Sequence, residues 1–290
     1  MAVTTTAAAP PSIRVAGGTL VDDLRAAKMV WRRELIRFSR NRIRIVTSLM
    51  QPVLFLFVLG SGLGGITEGV TGHFNFKTFM FPGVLAMAVL FTAIFSAISI
   101  VWDREFGFLR EMLVAPVRRS SLVIGKALGG ATVATGQGIV MLCLAGLVHV
   151  PYNPVLVLTL IGELALLAFA LTAFGVMAAS RMQEVESFQV VMQFFVLPMF
   201  FLSGAFFPLS NIPIWLRALA VIDPLSYGVD PMRRAVFSRL HGVSPKTMRT
   251  LAPGLHWNGW RVPTLLELGI IFAMGIVMTS IAIWQFSKAD

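Results

Sequence analysis

The sequence predicts an all-α polytopic membrane protein with six transmembrane helices. Two observations support this class. Hydrophobic residues make up 56% of the 290 residues and charged residues only 13%, whereas soluble domains carry about 25% charged residues. The apolar residues are also grouped into runs close to the roughly 20 residues that a helix needs to cross a bilayer. The predicted spans are residues 45–63, 79–102, 122–148, 155–179, 188–207 and 265–284.

Net charge and cysteine content bear on the partners and the disulfides of the chain. The chain carries 24 Lys and Arg against 14 Asp and Glu, a formal net charge of +10. In a membrane protein such an excess is expected in cytoplasmic loops, so it does not indicate nucleic acid as a partner. The single cysteine, Cys143, excludes a disulfide within the chain. Because it lies in an apolar run, we interpret it as a buried small apolar residue.

The first 44 residues divide into a tail and a helix. Residues 1–19 are rich in Ala, Thr, Pro and Gly and predict a disordered cytoplasmic tail. Residues 20–44 predict an amphipathic helix in the membrane interface, with basic residues lying mostly off its apolar stripe. That stripe consists of Leu20, Leu24, Ala27, Trp31, Leu35 and Phe38. A basic helix can also bind nucleic acid, but the span that follows directly makes lipid headgroups the nearer anion. Residues 45–290 then form the six-span domain.

The short loops predict the orientation in the membrane. Residues 1–44 hold nine Lys and Arg and residues 103–126 hold five, whereas residues 65–78 hold one and residues 149–154 none. Short cytoplasmic loops collect basic residues, and long segments such as 207–263 contribute little to this bias. Both termini and the 103–126 loop are therefore predicted to be cytoplasmic.

The loop after the second span predicts a short cytoplasmic helix over residues 103–116. Phe106, Leu109 and Leu113 recur at helical spacing and form one apolar stripe, and Pro116 ends the helix. Its charged face carries Arg104, Glu105 and Arg110. Such a helix either docks into a soluble partner or lies on lipid headgroups, and these residues alone leave both alternatives open.

Residues 208–240 predict a pair of short external helices broken at Asp223-Pro224. Apolar runs of about 10–14 residues are too short to span a bilayer and are typical of re-entrant or interfacial helices. Backbone of this kind persists at membrane depth only when it is buried in protein or lines a cavity.

Three stretches of the chain resemble the permease subunits of type-2 ATP-binding-cassette exporters, and within that group the daunorubicin-resistance permeases. They are residues 31–60, 102–128 and 197–237. The last is the most specific, since it combines Leu202-Ser203-Gly204, Phe207-Pro208 and Pro224-Leu225-Ser226-Tyr227 with the arginines that follow. The resemblance covers about residues 20–288.

This resemblance implies a half-transporter in the bacterial plasma membrane that acts in multidrug efflux and antibiotic resistance. It implies pairing with a second permease copy or a paralogue and with two copies of an ATP-binding-cassette ATPase subunit. ATP and Mg²⁺ would bind to that partner, and the 103–116 segment would be the coupling helix that contacts it. The interfacial helix would contact the same subunits, and the short helical pair would cover the external end.

The residues themselves indicate a non-catalytic chain. A phosphate-binding loop needs G-x-x-x-x-G-K-[ST], and the closest match, Gly125-Lys126-Ala127, lacks the first glycine and the hydroxyl. The four histidines have no metal-ligand spacing, so we expect no metal and no cofactor in this chain.

A substrate pathway is predicted from polar and aromatic residues within the spans. Glu163 is an acid inside the fourth span, and such residues are candidates for function by default. Gln137, Gln193 and Phe194 are further candidates; for all four, helix packing or lipid contact is the alternative. Few fixed charges in the spans favour an amphiphilic or lipid-like substrate, either a drug or a lipid. A polysaccharide or lipid-linked glycan exporter is one alternative, and a channel or membrane scaffold is another.

Overall fold

The computed structural model describes residues 20–64, 75–107, 118–209, 212–240, 251–257 and 259–288. Within these residues the fold is helical apart from one two-stranded antiparallel hairpin, which confirms the all-α class. The elements are α1 (Leu20–Arg40), α2 (Arg42–Leu54), α3 (Phe76–Ser96), α4 (Ile98–Glu105), α5 (Arg119–Leu142), α6 (Pro154–Ala179), α7 (Val185–Leu202), α8 (Ile214–Ile222), α9 (Pro224–Phe237), β1 (His256–Trp257), β2 (Trp260–Arg261) and α10 (Thr264–Lys288). Helix α2 continues through the π-helical segment Phe55–Leu59 and the turn Gly60–Gly62.

Five helical segments in the described residues are long and apolar enough to cross a membrane: Arg42–Gly62, Phe76–Glu105, Pro154–Ala179, Val185–Leu202 and Thr264–Lys288. They coincide with five of the six predicted spans. The remaining one corresponds to α5, which at 24 residues is long enough to span but contains five glycines, two charged residues and a glutamine. Its reduced apolarity explains why it is not among the five, and a sixth span stays a prediction.

The helices run up and down between two ends, which contacts across the bundle define. At one end, which we call the basic end, Arg119 at the start of α5 donates to the carbonyl of Phe286 near the end of α10, at 2.9 Å. There too Arg104, at the end of α4, donates to the carbonyl of Met182, before α7, at 2.7 Å. The start of α1 joins the same end through an ion pair between Asp23 and Arg118 at 3.2 Å.

The opposite end, which we call the hairpin end, contains β1 and β2. Here the hydroxyl of Thr78 at the start of α3 donates to the carbonyl of Val148, after α5, at 2.7 Å. Arg234 of α9 pairs with Glu267 at the start of α10 at 2.9 Å. The two ends thus alternate along the chain, as an up-and-down bundle requires.

Helix α3 forms the centre of the bundle and packs against α5, α6 and α9. Almost every residue from Thr78 to Ile94 is buried. Small residues permit the close approach of neighbouring backbones. A Cβ on Gly83 would lie 2.6 Å from the Cα of Ala205, and one on Gly175 would lie 2.8 Å from the carbonyl oxygen of Ile94. The core around α3 is thus closely packed.

The predicted interfacial helix is packed along α5 in the structure. A Cβ on Gly125 would lie 2.7 Å from the carbonyl oxygen of Ala27, and the indole of Trp31 donates to the hydroxyl of Thr132 at 3.0 Å. The predicted boundary at residue 44 is wrong. Helix α1 ends at Arg40, and Asn41 caps α2 by accepting a hydrogen bond from the backbone of Arg44.

Residues 208–240 contain two short helices, α8 and α9, separated by Asp223. That they form an external pair stays a prediction. Asp223 caps α9, since its carboxylate accepts from the backbone N–H of Leu225 at 3.1 Å and from the hydroxyl of Ser226 at 3.1 Å. Pro224 then occupies the first turn of α9, where a missing N–H costs nothing.

Two other expectations are corrected. The predicted helix over 103–116 does not begin at residue 103, because α4 continues the second span through Asp103 and Arg104 to Glu105. Gly107 follows in a left-handed conformation with φ of 80°, which ends the helix. Cys143 is exposed, not buried, because α5 ends just before it. The predicted tail, residues 1–19, lies outside the described residues.

Candidate functional site

A network of four charges, three of them buried, lies at the basic end and joins three helices. Lys126 Nζ lies 2.9 Å from Glu34 Oε1 and 2.9 Å from Asp103 Oδ2, and it donates to the hydroxyl of Ser99 at 2.8 Å. Arg33 Nη2 donates to Asp103 Oδ2 at 2.7 Å. We call Arg33, Glu34, Asp103 and Lys126 the four-charge network. It connects α1, α4 and α5.

Burial makes this network sensitive to the loss of Lys126, Glu34 or Asp103, whereas Arg33 is exposed. Lys126, Glu34 and Asp103 are only 7%, 8% and 7% exposed. A buried charge that loses its partner costs several kcal/mol, although an intact buried pair adds little net stability. The two carboxylates balance the charge of the two cations. Their contacts between α1, α4 and α5 hold the three helices in one relative position.

Three of the predicted coupling residues lie beside this network. Arg104 donates to the carbonyl of Met182, and the carboxylate of Glu105 accepts from the backbone N–H of Val185 at 2.9 Å. Both contacts fix the end of α4 to the start of α7. Phe106 is 68% exposed. The other three predicted coupling residues, Leu109, Arg110 and Leu113, lie outside the described residues.

The basic end therefore combines a rigid charged support with an exposed aromatic residue. A force applied at Phe106 would reach α7 through Arg104 and Glu105, and would reach α1 and α5 through the four-charge network. An arrangement of this kind can transmit movement of a bound partner to several membrane helices.

The structure separates the four predicted pathway residues. Gln137 is buried and donates to the hydroxyl of Ser48 at 2.9 Å, so it joins α5 to α2 as a packing residue would. Glu163 is 6% exposed and faces the interior. Phe194 is 74% exposed, and Gln193 is exposed beside it on α7. The first two therefore lie inside the protomer and the last two on its surface.

Glu163 lies near a second charged cluster, at the hairpin end. Its Oε2 is buried and has no hydrogen-bond partner in the described parts of the chain, and the carboxylate of Asp230 is close enough to repel it. Asp230 pairs with Arg234, which also binds Glu267 at 2.9 Å. Asp230 further accepts from the backbone N–H of Leu255 at 3.0 Å. This cluster fixes α9 to α10 and to the segment before the hairpin.

Two further charged groups hold the short helices in place. Arg233 is 3% exposed, donates to the carbonyl of Gly204 at 2.6 Å and lies 4.2 Å above the ring of Phe79. Burial lowers the pKa of Arg233 to about 10. At the start of α9, burial raises the pKa of the Asp223 carboxyl to about 7, against the hydrogen bonds from Leu225 and Ser226.

Sequence reasoning missed the four-charge network, although it left a signal. Glu34 is an acid within a strongly basic helix, and Lys126 is a cation one turn inside a predicted span. An intramembrane cation is expected to have a partner. What the sequence does not show is which acid it meets, because the partners are 92 and 23 positions away along the chain.

The fold and these charged clusters define a multi-pass membrane protein in which α1 packs along α5 and the short helices α8 and α9 lie towards the hairpin end. The sequence profile described as ABC-2 type transporter matches residues 25–237. The chain belongs to the ABC-2 type transporter family, which confirms the resemblance to type-2 ATP-binding-cassette permeases.

Curated relatives of this chain include proteins named as permeases and proteins named nodulation protein J. Nodulation protein J of Rhizobium leguminosarum bv. viciae is 28% identical over 211 residues, which are 70% of this chain and 79% of that protein. The inner membrane transport permease YadH of Escherichia coli K12 is 26% identical over 213 residues, 72% of this chain and 81% of the relative. The probable multidrug ABC transporter permease YbhR of the same strain is 28% identical over 54% of this chain and 43% of its own length.

Proposed function

We propose that this chain is the non-catalytic permease subunit of an ATP-binding-cassette exporter in the bacterial plasma membrane. It would have six spans, with α5 as the third, and both termini in the cytoplasm. Two copies of a separate ATPase subunit, which bind ATP and Mg²⁺, would dock at the basic end. The observation that carries this proposal is the family match over residues 25–237, together with the exposed Phe106 and its fixed support at that end.

The contacts of the basic end support a coupling role for the 103–116 segment. Arg104 and Glu105 bind the start of α7, and the four-charge network binds α1 and α5. In this proposal Phe106, Leu109, Arg110 and Leu113 contact the ATPase. Movement of the ATPase subunits on binding ATP would then shift the spans as connected elements.

The exposed surface of α7 supports a role for a second permease copy or a paralogue. Phe194 is 74% exposed and Val190 is 66% exposed, and Gln193 adds a polar group to this face. Glu163 and Gln137 are buried within one protomer. A substrate pathway that includes Gln193 and Phe194 therefore requires a facing chain or lipid to complete it.

An amphiphilic or lipid-like substrate fits this surface best, because aromatic and aliphatic side chains outnumber polar ones on it. The relative named as a probable multidrug permease favours a drug-like amphiphile. A polysaccharide or lipid-linked glycan is the second candidate, and the relatives named nodulation protein J do not separate it from the first.

Co-purification of the ATPase subunit with the permease tests the docking site. Phe106→Asp places a charge on the exposed aromatic contact, and we expect at least about a tenfold loss of bound ATPase, equivalent to about 1.4 kcal/mol. Trp260→Asp is the matched control, because Trp260 is also exposed, at 53%, but lies at the hairpin end. Equal ATPase binding by wild type and Phe106→Asp, in permease that inserts normally, would contradict the proposal.

A further inference from the structure

A small polar cavity lies where α1 meets α2, against α3, α4 and α5. Its volume is about 60 Å³, and its lining includes Arg37, Asn41, Arg44, Thr92, Ser96 and Trp102. A site needs roughly 10–15 Å³ of such space to hold one water. The cavity therefore has room for the oxygens of a compact anionic group but not for a whole amphiphile.

Two cations line this cavity without a carboxylate partner. The guanidinium of Arg37 lies 4.9 Å above the ring of Trp102, and Arg44 donates to the carbonyl of Phe95 at 3.0 Å. Within the described parts of the chain, neither forms an ion pair. Their charges are close enough to repel each other. Two like charges held together in this way favour binding of an anion between or beside them.

The one acid in the lining is already neutralised. Glu34 Oε1 lies 2.9 Å from Lys126 Nζ and accepts from the hydroxyl of Ser99 at 3.4 Å. Glu34 also attracts Arg44 electrostatically, although the two do not form an ion pair within the described residues. One carboxylate shared with Lys126 does not balance two arginines, so the lining keeps an excess of positive charge.

A hydroxyl without a hydrogen-bond partner completes the lining. Thr92 is 6% exposed, and its Oγ1 has no hydrogen-bond partner among the described residues. Most threonines in helices donate to a carbonyl of the preceding turn, as Thr132 and Thr135 do here. A buried hydroxyl without a hydrogen bond is unfavourable, so Thr92 is available as a donor to a group inside the cavity.

The position of the cavity indicates where the anion comes from. Asn41 interrupts the helix between α1 and α2 and lines the cavity. The cavity therefore lies at the junction of the predicted interfacial helix and the first span. Beside it α2 exposes Ile43 at 78% and Val46 at 59%, an apolar strip along which an acyl chain can lie. Basic segments next to a span attract anionic lipids.

We propose that this cavity binds the phosphate group of an anionic phospholipid, held by Arg37, Arg44 and the hydroxyl of Thr92. The acyl chains stay in the bilayer along α2. The site fixes the angle between α1 and α2 and so makes the position of the interfacial helix dependent on anionic lipid. This proposal is independent of the proposed function, because it concerns the resident membrane and not the transported substrate.

Lipid binding to the full-length permease tests the site. Native mass spectrometry of the detergent-solubilised chain, titrated with phosphatidylglycerol or with a neutral glucosyl diacylglycerol, measures both affinities. We expect one phosphatidylglycerol to bind at least about tenfold more tightly than the neutral lipid. Equal affinity for both would overturn the proposal.

Arginine variants locate the bound lipid. Arg37→Gln and Arg44→Gln should each weaken phosphatidylglycerol binding at least about tenfold, and Thr92→Val a few-fold. Arg40→Gln and Arg42→Gln are matched controls, because these exposed residues flank Asn41 but do not line the cavity. Arg37 donates no hydrogen bond within the described protein, so its variant tests binding even if Arg44→Gln fails to fold. Equal losses in all four variants would show general charge attraction and overturn the site.

Competition by free glycerol phosphate separates a lipid from a soluble anion. We expect displacement of phosphatidylglycerol to need at least about a hundredfold more glycerol phosphate than lipid, because the acyl chains contribute to binding. Displacement at equal concentrations would overturn the assignment to a phospholipid.

Discussion

Lys126 joins three helices at the basic end, because its ammonium reaches from α5 to Glu34 of α1 and Asp103 of α4. Only 7% of Lys126 is exposed, so water cannot replace either partner. Arg33 gives Asp103 a second cation, whereas Glu34 has no other cation within 4 Å in the described residues. Removal of Lys126 therefore leaves Glu34 as an uncompensated buried charge.

Replacement of Lys126 by methionine should lower the free energy of unfolding by about 3–5 kcal/mol, the usual effect of breaking a buried ion pair from one side. The double variant Lys126→Met with Glu34→Gln should recover much of this loss. Lys28→Met, at an exposed position of α1, is the control. Thermal unfolding of the purified chain measures all three. A Lys126→Met variant as stable as Lys28→Met would show that the network does not hold the helices.

Asp223 should make stability depend on pH. Burial raises its pKa from 3.8 to about 7 in the folded chain, so the folded state keeps a proton that the unfolded state releases. The stability contributed by this proton is fully present below about pH 4. It falls by about 1.4 kcal/mol per pH unit as the pH rises towards 7, and is then lost.

The Asp223→Asn variant keeps an N-cap side chain but cannot ionise. The difference in unfolding midpoint between Asp223→Asn and wild type should therefore increase between pH 4 and pH 7 in favour of the variant. Taking the difference at each pH removes the contribution of the other titrating groups. A difference that is the same at pH 4 and pH 8 would contradict a raised pKa at this position.

Individual charged residues were only partly predictable. Glu163 could be identified as a candidate because an acid in a long apolar run is conspicuous, and the structure shows it buried. The partners of Lys126 could not, because they depend on how α1 and α4 pack on α5. Gln193 and Glu163 also lie in separate environments, the first exposed and the second buried. The sequence locates each residue on a helix but does not define which face of that helix meets the interior.

At the scale of elements, the contact between α1 and α5 depends on glycine. A Cβ on Gly125 would lie 2.7 Å from a backbone oxygen of α1, whereas one on Gly136 would meet nothing within 4 Å. The interfacial helix is therefore held by backbone proximity as well as by charge.

Gly125→Val should force α1 away from α5 and destabilise the chain by about 1–3 kcal/mol, as overpacking does. Gly136→Val is the matched control in the same helix and should change stability by less than about 1 kcal/mol. Unfolding midpoints, with crosslinking between cysteines placed on α1 and α5, measure stability and proximity together. Equal midpoints for the two variants would show that α1 does not pack as closely as described.

Element types were more predictable than element boundaries. The short pair α8 and α9 was recognisable from its length and from Asp223-Pro224, which supplies both a cap and a first-turn proline. The helix over 103–116 was placed too early, because Asp103 and Arg104 are charged and resemble a loop. In the structure their side chains bind Lys126 and the carbonyl of Met182, so tertiary contacts allow the second span to continue to Glu105.

At the scale of the whole molecule, each end of the bundle has its own charged cluster. The basic end carries the interfacial helix, the four-charge network and the exposed Phe106, and the hairpin end carries the cluster around Arg234. Hydropathy predicts the multi-pass class and six spans, and long apolar helices of the described residues match five of them. The sixth stays a prediction, because the glycines that pack α5 against α1 and α3 also reduce its apolarity.

ATP-dependent movement of an amphiphile across a membrane tests the central claim most directly. The permease and its ATPase subunit would be reconstituted together in liposomes, with daunorubicin and a fluorescent phospholipid as probes and a lipid-linked glycan for the second candidate. We predict movement of at least one probe only when both subunits and hydrolysable ATP are present. Probe movement at the same rate without ATP or without the ATPase would identify a channel, and ATP hydrolysis that moves none of the probes would contradict the assignment as an exporter of these substrates.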